Sequence, residues 1–204
     1  MKILTFNDNV ASQNSYLIIE KEEAIVIDPG FNGESIQNTM ERLHLLLKAC
    51  VLTHGHFDHI RDIKILLEKN SFPVYIHELE KLFLSDSSLN YSSAFGSHFS
   101  LKKNAEVITF KHLEELVFNQ IKLMVHHTPG HTRGSSCFQV GRNLFTGDTL
   151  FSDGFGRTDL ASGSSKLIYQ SLKYIYSHFS NDTTCYSGHG TPEKLSIIKQ
   201  KNTI

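Results

Sequence analysis

Four side chains of the kind that bind divalent metals stand within six residues of one another. They are His54, His56, Asp58 and His59, in the stretch THGHFDHIRD, and an apolar run leads into them. Proteins hold zinc and similar ions with imidazole nitrogens and carboxylate oxygens in such mixtures. His54 and His56 are two residues apart, so an extended backbone points both rings the same way. Asp58 and His59 follow where the chain turns into a helix, and their side chains can diverge toward a second metal ion.

Three further candidate ligands stand beside glycines in the second half of the chain. They are His131 in TPGHTRGS, Asp148 in FTGDTLF and His189 in YSGHGTP. Each follows an apolar run and comes directly after a glycine, whose backbone can turn sharply enough to present the ligand to a shared cavity. The full set contains five histidines and two aspartates, which is enough for two metals with open positions for water.

The elements that must position these residues alternate between strand and helix in the first half of the chain. Short apolar runs predict strands at SYLIIE, EAIVIDPG, ACVLT and PVYIH. Helical spacing predicts helices at Ser35–Leu47, with Glu34 and Ser35 as candidate capping residues, at residues 60–67 and at ELEKLFL. This alternation indicates a layered α/β fold.

The second half of the chain is richer in strands. The runs EVITF, ELVFN, IKLMVHHT, SSCFQV, NLFTGD and TTCYSG predict strands, punctuated by glycines and polar pairs. A long amphipathic helix is predicted from Leu167 to Phe179, and a terminal helix is predicted to begin at Pro192. Each half therefore has strands and flanking helices, and we expect two packed sheets with helices outside.

Composition narrows the possible partners and compartments. The 204 residues fit one domain spanning residues 1–204, and the net charge of −1 provides no basic field for nucleic acid or anionic lipid. No segment approaches the length of an apolar membrane span, and the N-terminus shows no secretion signal. Cys50, Cys137 and Cys185 are odd in number and scattered in apolar contexts, so we expect buried, inert thiols and a cytoplasmic location. The oligomeric state is left open.

Several residues other than the seven candidate ligands are weaker candidates for a role at the site. Ser85–Ser100 contains seven serines and is predicted to be a loop, either a solvated connection or the rim of a site. His126 and His127 alternate in a strand, so one of them is a candidate to support a ligand from behind. Asp28, at a strand end, is another candidate for such a supporting role.

In order and approximate spacing, the seven candidate ligands resemble those of the metallo-β-lactamase superfamily. That resemblance runs from NSYLI to GHGTP, and the motifs IDPG, TPGHT, GDTLF, GRTDL and GHG are similar to the glyoxalase II (hydroxyacylglutathione hydrolase) branch of the superfamily. The resemblance implies an αββα four-layer sandwich and two divalent metals, zinc first, with iron or manganese as alternatives. It assigns His54, His56 and His131 to one metal, Asp58, His59 and His189 to the other, and Asp148 to both.

The same resemblance implies a mechanism. A hydroxide shared by the two metals would attack the carbonyl of a small-molecule thioester, with Asp58 and Asp148 acting through that hydroxide. A thiolate leaving group with a pKa of about 8.5 needs no separate acid. The expected activity is therefore thioester hydrolysis.

The chain departs from two-domain glyoxalase II enzymes in two respects. Fifteen residues follow His189, so we expect no C-terminal glutathione-binding helical domain. Aligned on GDTLF, Arg157 stands where those enzymes have a lysine that contacts glutathione, and Asp159 stands where they have a tyrosine. Arg157 either binds a substrate carboxylate or forms a structural pair with Asp159. The best resemblance is to short, single-domain glyoxalase II-like proteins.

Other activities use similar residues. Persulfide dioxygenases resemble this chain in the histidine motif and in GRTD, and there His54, His131 and Asp148 would bind a single iron. A lactonase would need the same metals as a thioesterase. A β-lactamase of the main zinc class would have a secretion signal and a cysteine in place of Asp148, and a scaffold without catalysis would not need all seven ligands.

Overall fold

The computed structural model describes residues 1–202 of the chain. Backbone contacts divide it into two units. The first comprises residues 1–110 and 118–121, and the second comprises residues 111–117 and 122 onward. Each unit contains strands and helices, which confirms the α/β prediction.

The first unit is built on a six-stranded sheet in which the strands are neighbours in chain order. These are β1 (Lys2–Asn7), β2 (Asn14–Glu20), β3 (Glu23–Ile27), β4 (Leu46–Val51), β5 (Val74–His77) and β6 (Val107–Phe110). Pairing is antiparallel from β1 to β3 and parallel from β3 to β6. The helices are α1 (Gly33–Arg42), α2 (Phe57–Ile60), α3 (Ile63–Lys69) and two 3-10 helices at Glu78–Leu84 and Ser92–Phe95. The apolar runs of β2, β3 and β4 pack with Ile36, Met40 and Ile63 in one buried core, because strands covered by helices read as nearly continuous apolar runs.

The second unit has its own six-stranded sheet, in the order β12-β11-β10-β9-β8-β7. Its strands are β7 (Glu115–Phe118), β8 (Ile121–His127), β9 (Ser136–Val140), β10 (Asn143–Gly147), β11 (Thr184–Ser187) and β12 (Glu193–Lys194). Helix α4 (Ser165–His178) connects the parallel pair β10 and β11, and α5 (Leu195–Lys201) follows β12. The apolar side of α4, with Ile168, Leu172 and Ile175, packs with Leu144 and Leu195 in a second core.

Three predicted element boundaries were wrong. Helix α1 ends at Arg42, and Leu46 and Leu47 belong to β4, because the chain leaves the helix through a left-handed residue at His44 (φ 53°). Asn32, not Glu34 or Ser35, precedes α1. The single helix predicted across residues 60–67 is interrupted, since α2 ends at Ile60 and α3 begins at Ile63.

The end of the chain and its first strand also differ from the prediction. Helix α5 begins at Leu195, not at Pro192, because Glu193 and Lys194 pair with β11 as a short strand. Strand β1 was not predicted. Its residues are mostly exposed or half-buried, so it lacks the apolar run that marks the other strands.

The cysteine prediction is confirmed. Cys50, Cys137 and Cys185 are free and buried. Burial raises the pKa of the Cys137 and Cys185 thiols to about 12, so neither is a thiolate near neutral pH. Among residues 1–202, no helix is long and apolar enough to cross a membrane.

Candidate metal centre

The histidine motif of the first unit follows the buried end of β4. His54 and His56 lie between β4 and α2, in the segment that leads from Val51 to Phe57, and both are buried. Gly55 between them is a steric necessity, because a Cβ at this position would lie 2.4 Å from the Cβ of Phe83. The Gly55 amide donates to a carboxylate oxygen of buried Glu80 at 2.6 Å. The motif backbone is therefore fixed by its neighbours.

Asp28 is the centre of a hydrogen-bond network behind the motif. It stands directly after β3 in a left-handed conformation (φ 49°), which aspartate tolerates better than most residues. Its Oδ1 accepts the Thr53 amide at 2.8 Å. Its Oδ2 accepts the Thr53 hydroxyl at 2.6 Å and lies 2.9 Å from His59 Nδ1. Asp28, a candidate for a supporting role, therefore contacts the motif directly through Thr53 and His59.

This network assigns the protons of two candidate ligands. An ionised carboxylate only accepts hydrogen bonds, so His59 Nδ1 and the Thr53 hydroxyl must both donate to Asp28. The Thr53 oxygen lies 3.1 Å from His54 Nδ1 and, having given its proton to Asp28, accepts from that nitrogen. Both histidines therefore carry the proton on Nδ1 and present an Nε2 lone pair, the arrangement in which outer groups orient metal-binding imidazoles.

The donor atoms of the first unit are close to one another. Asp28, His54 and His59 form a group whose nearest nitrogen and oxygen atoms all lie within 4.8 Å. Because three donors occupy the Asp28 oxygens, this carboxylate orients the ring of His59 and, through Thr53, that of His54. On the other side of its ring, His59 Nε2 lies 3.9 Å from Asp58 Oδ2. Asp58 and His59, predicted to share a metal, thus present adjacent donors.

The second unit brings its three candidate ligands together around one oxygen atom. His131 Nε2 and His189 Nε2 each lie 3.5 Å from Asp148 Oδ2. Two ligand atoms on a tetrahedral zinc, each about 2.1 Å from the metal, are about 3.4 Å apart. Both distances fit metal-sharing pairs, and one carboxylate oxygen takes part in both. His131 and Asp148 are buried, whereas the His189 side chain is about a quarter exposed.

The predicted glycine turns are present with one change. The backbone has a positive φ at Gly130 (146°) and Gly147 (47°), directly before His131 and Asp148. In the third turn the positive φ falls on Gly190 (81°), after His189. A side chain at Gly130 would also collide with the start of α4, since its Cβ would lie 2.3 Å from the Ile168 amide nitrogen.

Backbone carbonyls orient two histidines in the second unit. His131 Nδ1 donates to the Arg157 carbonyl at 2.7 Å, which leaves Nε2 to face Asp148. His127 Nε2 donates to the Arg133 carbonyl at 2.9 Å in the turn after His131. The contribution of the Arg157 backbone has no signal in the sequence, because any residue type supplies the same carbonyl.

The Arg157 side chain forms a structural pair with Asp159, which is one of the two roles considered for it. Its Nε and Nη2 donate to the two carboxylate oxygens of Asp159, both at 2.7 Å. These hydrogen bonds lower the pKa of Asp159 to about 2. Both side chains are exposed, at 63% and 66%, so the pair shapes a surface loop. A substrate role for Arg157 stays a prediction.

His126 is a buried core histidine. Its Nδ1 lies 2.8 Å from the Tyr174 hydroxyl and its Nε2 lies 3.2 Å from Gln139 Oε1. Burial, and then the nearby rings of His178 and His112, lower its pKa to about 4 against the opposing effect of Gln139. His126 is therefore neutral at pH 7 and belongs to the packing of β8 against α4.

These features define the class of the protein. Residues 8–189 match the metallo-beta-lactamase superfamily, and the chain belongs to that superfamily. It is 34% identical over 190 residues to the probable metallo-hydrolase YqgX of Bacillus subtilis (strain 168), covering 92% of this chain and 89% of the relative. Among solved structures, BLEG-1 B3 metallo-beta-lactamase is 31% identical with a TM-score of 0.91, covering 99% of this chain and 98% of the other. TTHA1623 in a di-iron-bound form is 30% identical with a TM-score of 0.85, covering 98% of both chains.

Proposed function

We propose that the protein is a dinuclear metal-dependent hydrolase of thioesters, similar to the glyoxalase II branch of its superfamily. One observation carries the proposal. A single oxygen of Asp148 lies 3.5 Å from the Nε2 atoms of both His131 and His189, as expected of a carboxylate that bridges two metals. A relative of known structure binds two irons, which supports the same count.

The ligand assignment follows the motif order of the superfamily. The first metal is assigned to His54, His56 and His131, the second to Asp58, His59 and His189, and Asp148 to both. The donor chemistry suits zinc, iron or manganese. The network behind the motif fits this use, because it leaves the Nε2 atoms of His54 and His59 unprotonated for a metal.

The residues divide the catalytic work between them. When bound, a metal pair supplies a water that ionises near neutral pH and an electrophile for the substrate carbonyl. Asp58 and Asp148 act in catalysis as the carboxylate ligands of that pair. Asp28 holds the tautomers of His54 and His59, and Arg157 offers a guanidinium to a carboxylate of the thioester. The departing thiolate is stable enough to leave without a protein acid.

β-Lactam hydrolysis is a second candidate. The structural similarity to BLEG-1 B3 metallo-beta-lactamase extends over nearly the whole of both chains. Attack on a β-lactam carbonyl draws on the same metals and carboxylates, so the metal ligands do not separate the two activities. The substrate must therefore be tested directly.

One experiment separates the candidates. The purified protein is loaded with zinc or iron, its metals are counted per chain, and its turnover is measured on S-lactoylglutathione, simple thioesters, a lactone and a cephalosporin. Two metals per chain with preferential thioester hydrolysis support the proposal. One iron per chain with oxygen uptake on glutathione persulfide would establish the persulfide dioxygenase instead. Preferential cephalosporin turnover would establish the β-lactamase, and metal-replete protein without any turnover would indicate a binding protein.

The proposal includes a cytoplasmic location and a small-molecule thioester as the sole partner. Three free, buried thiols favour a reducing compartment. A net charge of −1 gives no reason to expect nucleic acid or a membrane surface.

A further inference from the structure

Tyr91 has a backbone conformation that bulky residues avoid. Its φ of 62° and ψ of 12° place it in the left-handed region, where a Cβ crowds the neighbouring peptide. Such outliers persist only where the surrounding structure enforces them, and they cluster at functional sites. A tyrosine in this conformation therefore calls for a physical reason.

The surrounding loop is built to enforce it. Asn90 is fully buried. Its side-chain Nδ2 donates to the Phe83 carbonyl at 2.7 Å, and its side-chain Oδ1 accepts the Ser92 amide at 2.9 Å. Ser92 is also fully buried, and its hydroxyl accepts the Phe99 amide at 2.9 Å. This serine-rich stretch was predicted to be either a solvated connection or the rim of a site. Its buried anchors rule out a merely solvated connection.

The anchored loop is joined to the histidine motif through Asn90 and through Tyr91 itself. The Asn90 carbonyl accepts the amide of Phe57, the first residue of α2, at 2.8 Å. The Tyr91 ring then meets the His56 imidazole edge to face, with centroids 5.3 Å apart and an interplanar angle of 83°. Phe83 lies along the same imidazole at 6.3 Å. The His54 ring, itself oriented by the Asp28 network, also packs edge to face on His56 with centroids 4.8 Å apart, so three rings surround this imidazole.

We propose that Tyr91 is a positioning residue, whose ring holds the His56 imidazole in the orientation that binds metal. This inference rests on the proposed function in that it takes His56 as a metal ligand. Edge-to-face packing specifies ring orientation, and the left-handed backbone is what brings the Tyr91 ring to that edge. The strained backbone at Tyr91 is retained because it places the tyrosine ring against His56.

Four variants of the full chain test this role. Tyr91→Phe keeps the ring, Tyr91→Ala removes it, and Tyr91→Gly removes it and also relieves the backbone strain. His44→Gly is the matched control, because it relieves a similar left-handed residue (φ 53°) at the end of α1. Zinc affinity is measured by competition with a chromophoric chelator, ligand geometry by the visible spectrum of the cobalt-loaded protein, and stability by melting of the metal-free protein.

The expected pattern separates the ring from the backbone. Tyr91→Phe and His44→Gly should retain wild-type zinc affinity and cobalt spectrum. Tyr91→Ala and Tyr91→Gly should both lose about tenfold in affinity, the lower end of losses seen when groups behind a metal ligand are removed. The metal-free Tyr91→Gly protein should nevertheless melt about 2–4 °C above Tyr91→Ala, because glycine adopts the left-handed conformation without strain.

Three results would overturn the inference. Wild-type affinity in Tyr91→Ala would show that the ring has no role. Recovery of affinity in Tyr91→Gly relative to Tyr91→Ala would show that loop order, not the ring, controls the metal. A wild-type protein that binds no zinc or cobalt would overturn both this inference and the proposed function. Zinc binding without thioester hydrolysis would overturn the proposed function alone, and the affinity comparison would still decide the role of Tyr91.

Discussion

Replacing Asp28 with asparagine should weaken metal binding at one position while the fold is kept. Asparagine is isosteric with aspartate and tolerates the left-handed backbone at this position. Its amide oxygen can keep the Thr53 amide contact, and its nitrogen then replaces the oxygen that faces His59 Nδ1. That nitrogen donates, so His59 Nδ1 must accept and the proton moves to Nε2. A protonated Nε2 cannot bind a metal.

The magnitude follows from the contacts that change. Three hydrogen bonds to a charged acceptor, each worth about 1.5–3 kcal/mol, become neutral ones worth about 0.5–1.5 kcal/mol, so the metal-free protein should lose about 3–4 kcal/mol of unfolding free energy. Disturbing a group that orients a metal ligand costs about 10–100-fold in affinity, or about 1.4–2.8 kcal/mol. The loss should fall on the metal assigned to His59. The tautomer of His54 is no longer fixed in this variant, because the Thr53 hydroxyl can then either donate to or accept from His54 Nδ1.

A zinc titration and nitrogen NMR test this reasoning together. Asp28→Asn should bind one zinc with nearly wild-type affinity and the second about 10–100-fold more weakly, and the His59 ring should show the Nε2–H tautomer in the metal-free protein. Asp62→Asn is the control, since Asp62 is an equally buried carboxylate that accepts the Gly33 amide and pairs with Arg61. It should leave both zinc affinities unchanged. Two tight zinc sites in Asp28→Asn would refute the tautomer argument.

Three further perturbations probe the second unit. Asp148→Ala removes the oxygen next to two imidazoles, so zinc should fall to one or fewer per chain and thioester turnover to background; near-normal turnover would refute the bridging role. Arg157→Ala should raise KM for acidic thioesters more than for neutral ones, and NMR should show the pKa of Asp159 rising from about 2; equal KM effects would leave Arg157 only its structural role. His126 has a folded pKa of about 4 against about 6.5 when unfolded, so the unfolded state binds more protons between these values and stability falls as pH drops below 6.5. Between pH 7 and 4.5 the wild type should therefore lose about 2 kcal/mol more than His126→Gln in denaturant titrations, after allowance for solvent screening, and equal losses would contradict burial of a neutral ring.

Apolar patterning predicted most of the elements because most residues of these strands are buried. The runs in β2 to β5 and β8 to β11 are apolar enough to be read without tertiary information. The failures have a common cause. β1 lacks an apolar run, and β12 is two residues long, so both are strands only because a neighbouring strand pairs with them.

The candidate ligands can be recognised in the sequence, whereas the residues that hold them cannot. Few residue types other than histidine, cysteine, aspartate and glutamate bind these metals, so candidate ligands are visible in the chain by their type and spacing. The supporting contacts of Gly55 and His131 come from Glu80, which sits among other charged residues, and from the carbonyl of Arg157. Neither has a distinctive type or spacing, since a buried glutamate looks like an exposed one until the fold is known.

The burial of the histidine motif explains why hydrogen-bond partners are needed to orient the imidazole rings and set their tautomers. A buried imidazole has two tautomers, and only one of them presents Nε2 to a metal. In water the tautomers interconvert freely, but in the core each ring nitrogen must be matched to a partner, so the partner decides which tautomer exists. Asp28 decides it for His59 and, through Thr53, for His54, while the Arg157 carbonyl decides it for His131. Because these partners belong to the polypeptide itself, the network fixes each tautomer in the metal-free protein, and the nitrogen spectra of that state report it directly.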